Sequence, residues 1–115
     1  LNREGLGLRI EGFGEKLKLI ALSHVSNTLG TLNPIEQIVE IVHKTLHPQA
    51  LPLVLVDGAQ SAPHRKIDFR ALGVDFFIFS GHKMLGPMGI GGLLVKKSLL
   101  ESSDVQPWLF GGGMI

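Results

Sequence analysis

Within VDGAQSAPHRKIDFRALGVDFFIFSGHK an acid closes one apolar run and a lysine follows the next: Asp57 ends LPLVLVD, and Lys83 lies just past DFFIFS. A lysine amine that is desolvated or set near other cations is suited to Schiff-base chemistry with a carbonyl. A carboxylate held opposite is what a pyridinium nitrogen needs to stay protonated and draw electrons from a bound substrate, the arrangement of pyridoxal phosphate sites. Ser80 and His82 flank Gly81 and can present a hydroxyl and an imidazole to a phosphate, beside the N–H groups of a glycine-rich turn. His24, Ser26 and Asn27 follow a third apolar run, KLIALS, and Gln60 follows Asp57 closely. Together these residues fit an aldehyde cofactor.

Each also has a plainer reading. Asp57 before a glycine can cap a turn, Lys83 can be a solvated loop lysine, and His24, His82, Ser61 and Gln60 can be ordinary loop residues. A metal site built from His24, Asp57, His64 and His82 would have gaps of 33, 7 and 18 residues, which match no compact ligand spacing and leave the lysine idle. The glycines of GPMGIGG precede a strand and do not lead from a strand into a helix N-terminus, so a nucleotide loop is disfavoured.

The elements that must position the candidates read as alternating strands and helices. KLIALS (18–23), LPLVLVD (51–57) and DFFIFS (75–80) are apolar enough for strands buried on both faces. Between the first two, Asn33 suits an N-cap, Pro34 a first helical position, and Ile35, Ile38, Val39, Ile41, Val42 and Leu46 recur at helical spacing until Pro48. DFRALG (68–73) predicts one or two helical turns, IGGLLVKK a further strand, and the stretch after Ser98 a short helix. The weak alternation in LGLRIEGFG suggests a short strand at 7–11. Strand, helix, strand, crossover, strand makes βαβ units, a parallel sheet and a site beyond the carboxyl ends of the strands, where the candidates fall.

Composition narrows the partners. At 115 residues the chain is one domain or part of one, and its 11 basic against 10 acidic residues, a net charge of +1, leave no electrostatic footprint for nucleic acid or an anionic membrane. The absence of cysteine excludes disulfides, thiolate metal ligands and a cysteine nucleophile from this chain. A hydrophobic content of 44% is high for so short a chain and calls for further protein to cover some apolar surface. No apolar run approaches the roughly 20 residues of a membrane span. LNREGLGLRIEG is not a signal peptide, so a soluble, cytoplasmic protein is expected.

The run from HVSNTLGTLNP through DGAQ and SGHKMLGPMGIGGLLVKK to FGGGMI resembles the cysteine desulfurase and selenocysteine lyase group of the class V aminotransferase family, with the linked spacing of DGAQ and SGHK as the most specific feature. The resemblance implies pyridoxal 5'-phosphate held as an internal aldimine on Lys83, Asp57 paired with its pyridine nitrogen, Gln60 bonded to its phenolic oxygen, and Ser80 and His82 on its phosphate. It also implies that Asn27 faces the substrate side near the carboxylate, while His24 looks structural. The implied fold is the three-layer α/β large domain of fold type I enzymes, a mixed, mostly parallel sheet with IGGLLVK as the antiparallel strand. Residues 1–115 would be a fragment of that domain, with the small C-terminal domain outside it.

The activity implied for a full-length parent is removal of sulfur or selenium from L-cysteine or L-selenocysteine, giving alanine and an enzyme persulfide. A small amino-acid substrate, a homodimer and a sulfur-acceptor protein go with it, and neither nucleic acid nor a membrane does. The family's cofactor-stacking ring, persulfide cysteine and carboxylate-clamping arginine lie in portions outside this chain, so the chain alone is expected to be inactive. Another lyase or aminotransferase of the same fold, or a non-catalytic folded module, are the alternatives. PQALP, Met88 and the short GGGMI depart from the family pattern without touching Asp57, Gln60 or Lys83.

Overall fold

The computed structural model describes residues 2–46 and 51–102. Helix α1 (Arg3–Phe13) is followed by β1 (Leu19–Ser23), α2 (Ile35–Thr45), β2 (Leu53–Asp57), α3 (Phe69–Leu72), β3 (Phe76–Ser80), β4 (Gly91–Val95) and α4 (Lys97–Leu100). The four strands form one sheet in the order β1-β2-β3-β4. The β1–β2 and β2–β3 pairs are parallel and β3–β4 is antiparallel, so the mixed, mostly parallel sheet is as expected.

The expected strand at 7–11 is instead part of α1. Asn2 caps this helix by accepting from the Gly5 N–H at 3.0 Å. Leu6 and Ile10, one helical turn apart, pack against Val42 and Leu46, and this contact with α2 overrides the weak alternation and the glycines. Helix α2 begins at Ile35 with Pro34 in the cap position, and Asn33 is not its side-chain cap. The Asn33 amide donates to the Ser23 carbonyl at 2.7 Å, so a tertiary contact has taken the side chain that sequence logic gave to the helix. Helix α3 follows expectation, with Asp68 accepting from the Arg70 and Ala71 N–H groups at 3.0 Å each. Pro48, the proposed stop of α2, and the stretch PWLFGGGMI lie outside the described residues.

Strand alternation sorts the sheet into two unlike faces. On one, Val54, Val56 and Phe77 are buried with Ile35 and Val39 of α2 and Leu72 of α3, and Ile20 joins the cluster that α1 and α2 make around Ile10 and Val42. On the other, Leu19, Leu55, Ile78 and Leu93 are half-buried or exposed. The strands are therefore not buried on both faces: of the three layers expected, the described residues form the sheet and one helical layer. Among the described residues no helix is long and apolar enough to cross a membrane.

Phe77 is 1% exposed and is the largest fully buried side chain. A Cβ on Gly58 would lie 1.9 Å from its Cζ, so only glycine fits at that point of DGAQ. Gly58→Ala should lower stability by about 1–3 kcal/mol, the usual cost of overpacking. An unchanged urea midpoint would show that the ring yields freely. At the other end of the sheet, Asp75 ties the strands together: Oδ2 accepts from the Val54 N–H at 2.9 Å and Oδ1 lies 3.6 Å from Lys96 Nζ.

Candidate functional site

The carboxyl ends of β1, β2 and β3 lie side by side. Ser23 pairs with Asp57, and Asp57 with Ile78, so the residues following each strand share one rim. Backbone bonds continue the ladder past the strand ends: the His24 N–H donates to the Asp57 carbonyl and the Gly58 N–H to the Ile78 carbonyl, both at 2.8 Å. Asp57 is half-buried, on the face of the sheet that no described helix covers. Its Oδ1 accepts from the Ala59 N–H at 2.8 Å, which fixes the carboxylate against its own turn.

Two candidate pairs meet through side chains. Gln60 donates from Nε2 to Asn27 Oδ1, joining the loop after β1 to the turn after β2. Ser80 Oγ and His82 Nδ1 are 2.8 Å apart, a hydroxyl and an imidazole poised as one unit. Asn27 is carried on a loop closed at its neck by the Asn33 N–H to His24 carbonyl bond of 2.9 Å and the Val25–Leu32 bridge. Inside the loop Ser26 Oγ accepts from the Thr28 and Leu29 N–H groups at 3.3 and 3.2 Å.

Lys83 sits in the 3-10 turn Gly81–Met84 directly after β3. It lines a hollow of about 380 Å³ with Ala62, Pro63, His64, Met84 and Leu85, which neither Asp57 nor Gln60 lines. The turn is held by the Gly81 N–H to Ile90 carbonyl bond of 2.8 Å and the Gly86 N–H to Gly81 carbonyl bond of 2.9 Å. Leu85, at φ 64°, takes the left-handed region without being glycine. That strained residue two positions past the lysine marks a backbone fixed by its surroundings.

His24 is 6% exposed and Ser61 0%. Ser61 Oγ donates to the Gly58 carbonyl at 3.3 Å, the turn hydroxyl its sequence context suggested. The contributions of the Ala59 N–H and of Asn33 were not foreseen, because backbone donors and tertiary amide contacts leave no mark in composition. Burial pushes the His24 imidazole below its ordinary value of 6.5.

The sequence and the fold both recur among known proteins. Residues 8–115 match the family model of class-V aminotransferases. The chain belongs to that family. Within it, the chain is 57% identical over 101 residues to a probable cysteine desulfurase of Halalkalibacterium halodurans, covering 88% of the chain and 23% of that relative. It is 50% identical over 103 residues to a cysteine desulfurase of Shigella sonnei, covering 90% and 24%. The crystal structure of the cysteine desulfurase CsdA from Escherichia coli superposes with a TM-score of 0.76 at 38% identity, covering 95% of the chain and 26% of that structure. The apo cysteine desulfurase of Thermococcus onnurineus NA1 gives 0.78 at 35%, covering 100% and 26%. The chain thus spans about a quarter of the length of these class-V relatives.

Proposed function

We propose that the chain is the cofactor-binding portion of a cysteine desulfurase that uses pyridoxal 5'-phosphate. The observation that carries this reading is the β2–β3 register, in which Asp57 pairs with Ile78 and the acid and the lysine-bearing turn leave adjacent strand ends. The donor set fits the group: a carboxylate for a ring nitrogen, a hydroxyl–imidazole pair for a phosphate, and an amine for an aldehyde. When bound, the cofactor supplies an electron sink for bonds at the substrate's α-carbon.

The protein's part is to hold and orient. Asp57 holds a proton on the ring nitrogen, Ser80 and His82 hold the phosphate, and Gln60 donates to the phenolic oxygen. Lys83 would hold the aldehyde through its amine, and the same amine would be the group placed to move the substrate's α-proton. Asn27 faces the substrate carboxylate from the loop after β1. The similarity of the class-V relatives supports L-cysteine as substrate, and the homodimer and the sulfur-acceptor protein belong to the same proposal.

Persulfide formation needs a thiolate, and this chain contains no cysteine. The activity is therefore proposed for a longer protein that adds a cysteine and a carboxylate-binding arginine. With the cofactor added, such a protein should convert L-cysteine to alanine, whereas the 115-residue chain should do so no faster than free cofactor. Alanine production by the chain alone above that background would overturn the division of labour. A longer protein that takes up the cofactor but leaves cysteine intact would overturn the substrate.

A further inference from the structure

His24 is used by none of these roles, yet it is one of two buried polar or charged residues in the described chain, and its Nδ1 has no hydrogen-bond partner among the described residues. A buried polar atom left unpaired is costly and calls for a reason. Its position suggests one. Alternation along β1 places its side chain on the helical face, opposite the face of Asp57. There its ring meets Phe77 edge-on, with centroids 6.5 Å apart and an interplanar angle of 84°. Phe77 in turn fills the space that a side chain at Gly58 would occupy, with the absent Cβ 1.9 Å from Cζ. The His24 N–H also donates to the Asp57 carbonyl, in the plane of the sheet, at 2.8 Å.

We propose that His24 is a positioning residue for the cofactor end of β2: its neutral ring, wedged against Phe77 beneath Gly58, fixes the turn that presents the Asp57 carboxylate. This rests on the reading of Asp57 as the partner of the ring nitrogen. A second consequence is sensitivity to acid. Glu36, in the first turn of α2, favours a proton on the ring, whereas burial, the larger effect, and Arg65, in the turn after β2, both disfavour one and together keep the ring neutral. The unfolded chain takes up that proton near the ordinary histidine value of 6.5, whereas the folded chain does so only at lower pH. Stability due to the neutral ring is therefore present above pH 6.5 and lost as pH falls through the lower folded value. The turn loosens over the same range.

The test uses the longer holoprotein with His24→Ala, His24→Phe and, as a packing control on the same strand and face, Leu22→Ala. Pyridoxal phosphate affinity is titrated at pH 7.5 and 5.5, and exchange of the Ala59 amide proton, which bonds Asp57 Oδ1, is followed in the apoprotein. His24→Ala should weaken cofactor binding about tenfold or more, the loss usual when an outer support of a bound group is removed, and should speed Ala59 exchange. His24→Phe should keep the affinity within about threefold and flatten its fall at pH 5.5, since a ring remains but cannot titrate. Leu22→Ala should leave both readouts near wild type.

Wild-type affinity and Ala59 exchange in His24→Ala would overturn the proposal. So would equal losses in Leu22→Ala at matched stability, or an unchanged acid response in His24→Phe. The Ala59 readout needs no cofactor. If the wild-type protein takes no cofactor on Lys83 while Ala59 exchange responds to His24→Ala alone, the site reading fails and the support of the Asp57 turn by His24 stands.

Discussion

Borohydride reduction of the cofactor-loaded longer protein should leave a pyridoxyl label on Lys83, and Lys83→Ala should leave none. Of the lysines that could compete, Lys66 lies in the exposed turn between β2 and α3. Lys96 and Lys97 follow β4, whose antiparallel course puts them at the opposite end of the sheet. They are also drawn toward acids there, Lys96 to Asp75 at 3.6 Å and Lys97 to Glu101 at 3.2 Å. Of these four, only Lys83 directly follows one of the parallel strands at its carboxyl end, in a turn whose backbone bonds fix its Cα while its side chain lines an open hollow. Its removal deletes little packing, so the variant should fold with a stability within about 0.5 kcal/mol of wild type, as surface substitutions usually do. Peptide mass spectrometry decides the matter. A label on Lys66, Lys96 or Lys97 with Lys83 unmodified would sink the assignment.

Asp57→Asn should separate attachment from turnover. Asparagine keeps an Oδ1 acceptor for the Ala59 N–H, so the turn and the covalent label on Lys83 should survive. What the amide cannot do is hold a full positive charge on a ring nitrogen as a carboxylate does. Hydrogen bonds to charged groups contribute about 1.5–3 kcal/mol. Losing one that strengthens as the α-proton departs should lower kcat by roughly 10- to 100-fold with a smaller change in KM. Full activity in the asparagine variant would remove Asp57 from its role and leave Lys83 untouched.

Much of the rim was legible in the sequence because apolar runs end where the chemistry begins. LPLVLVD stops at Asp57 and DFFIFS at Ser80, and the structure ends β2 and β3 at those residues. Helix α2 was legible from its periodicity, although its start moved once the Asn33 amide found the Ser23 carbonyl. Helix α1 was not, because Leu6, Leu8 and Ile10 alternate as well as they repeat, and only packing on α2 distinguishes the two. The apolar strands read as covered on both faces, whereas the described residues give cover to one. Composition does not say which part of a protein supplies it. In the rim, the Asn27–Gln60 and Ser80–His82 contacts fall between residues already suspected. The support of Gly58 by Phe77 and His24 needed the strand register and the side of the sheet each residue faces, and neither follows from spacing.

The sheet's order repeats the order of the chain, with Leu19 beside Leu53, Leu55 beside Phe76 and Ser80 beside Gly91. Among the described strands none is inserted between two earlier ones; β3 and β4 close a short loop, whereas each parallel pairing closes a whole crossover, a cost that grows only slowly with length. Parallel pairing across such crossovers forms more slowly than a hairpin. The same pairings tie the rim together. The loop bearing Asn27 closes on itself but is tied to β2 only when the Asp57 carbonyl receives the His24 N–H, and the Asp57 turn is not pinned until the Ile78 carbonyl receives the Gly58 N–H. The strand that sets the acid is also the one that leads directly into Lys83, so one pairing would fix both halves of the proposed site at once.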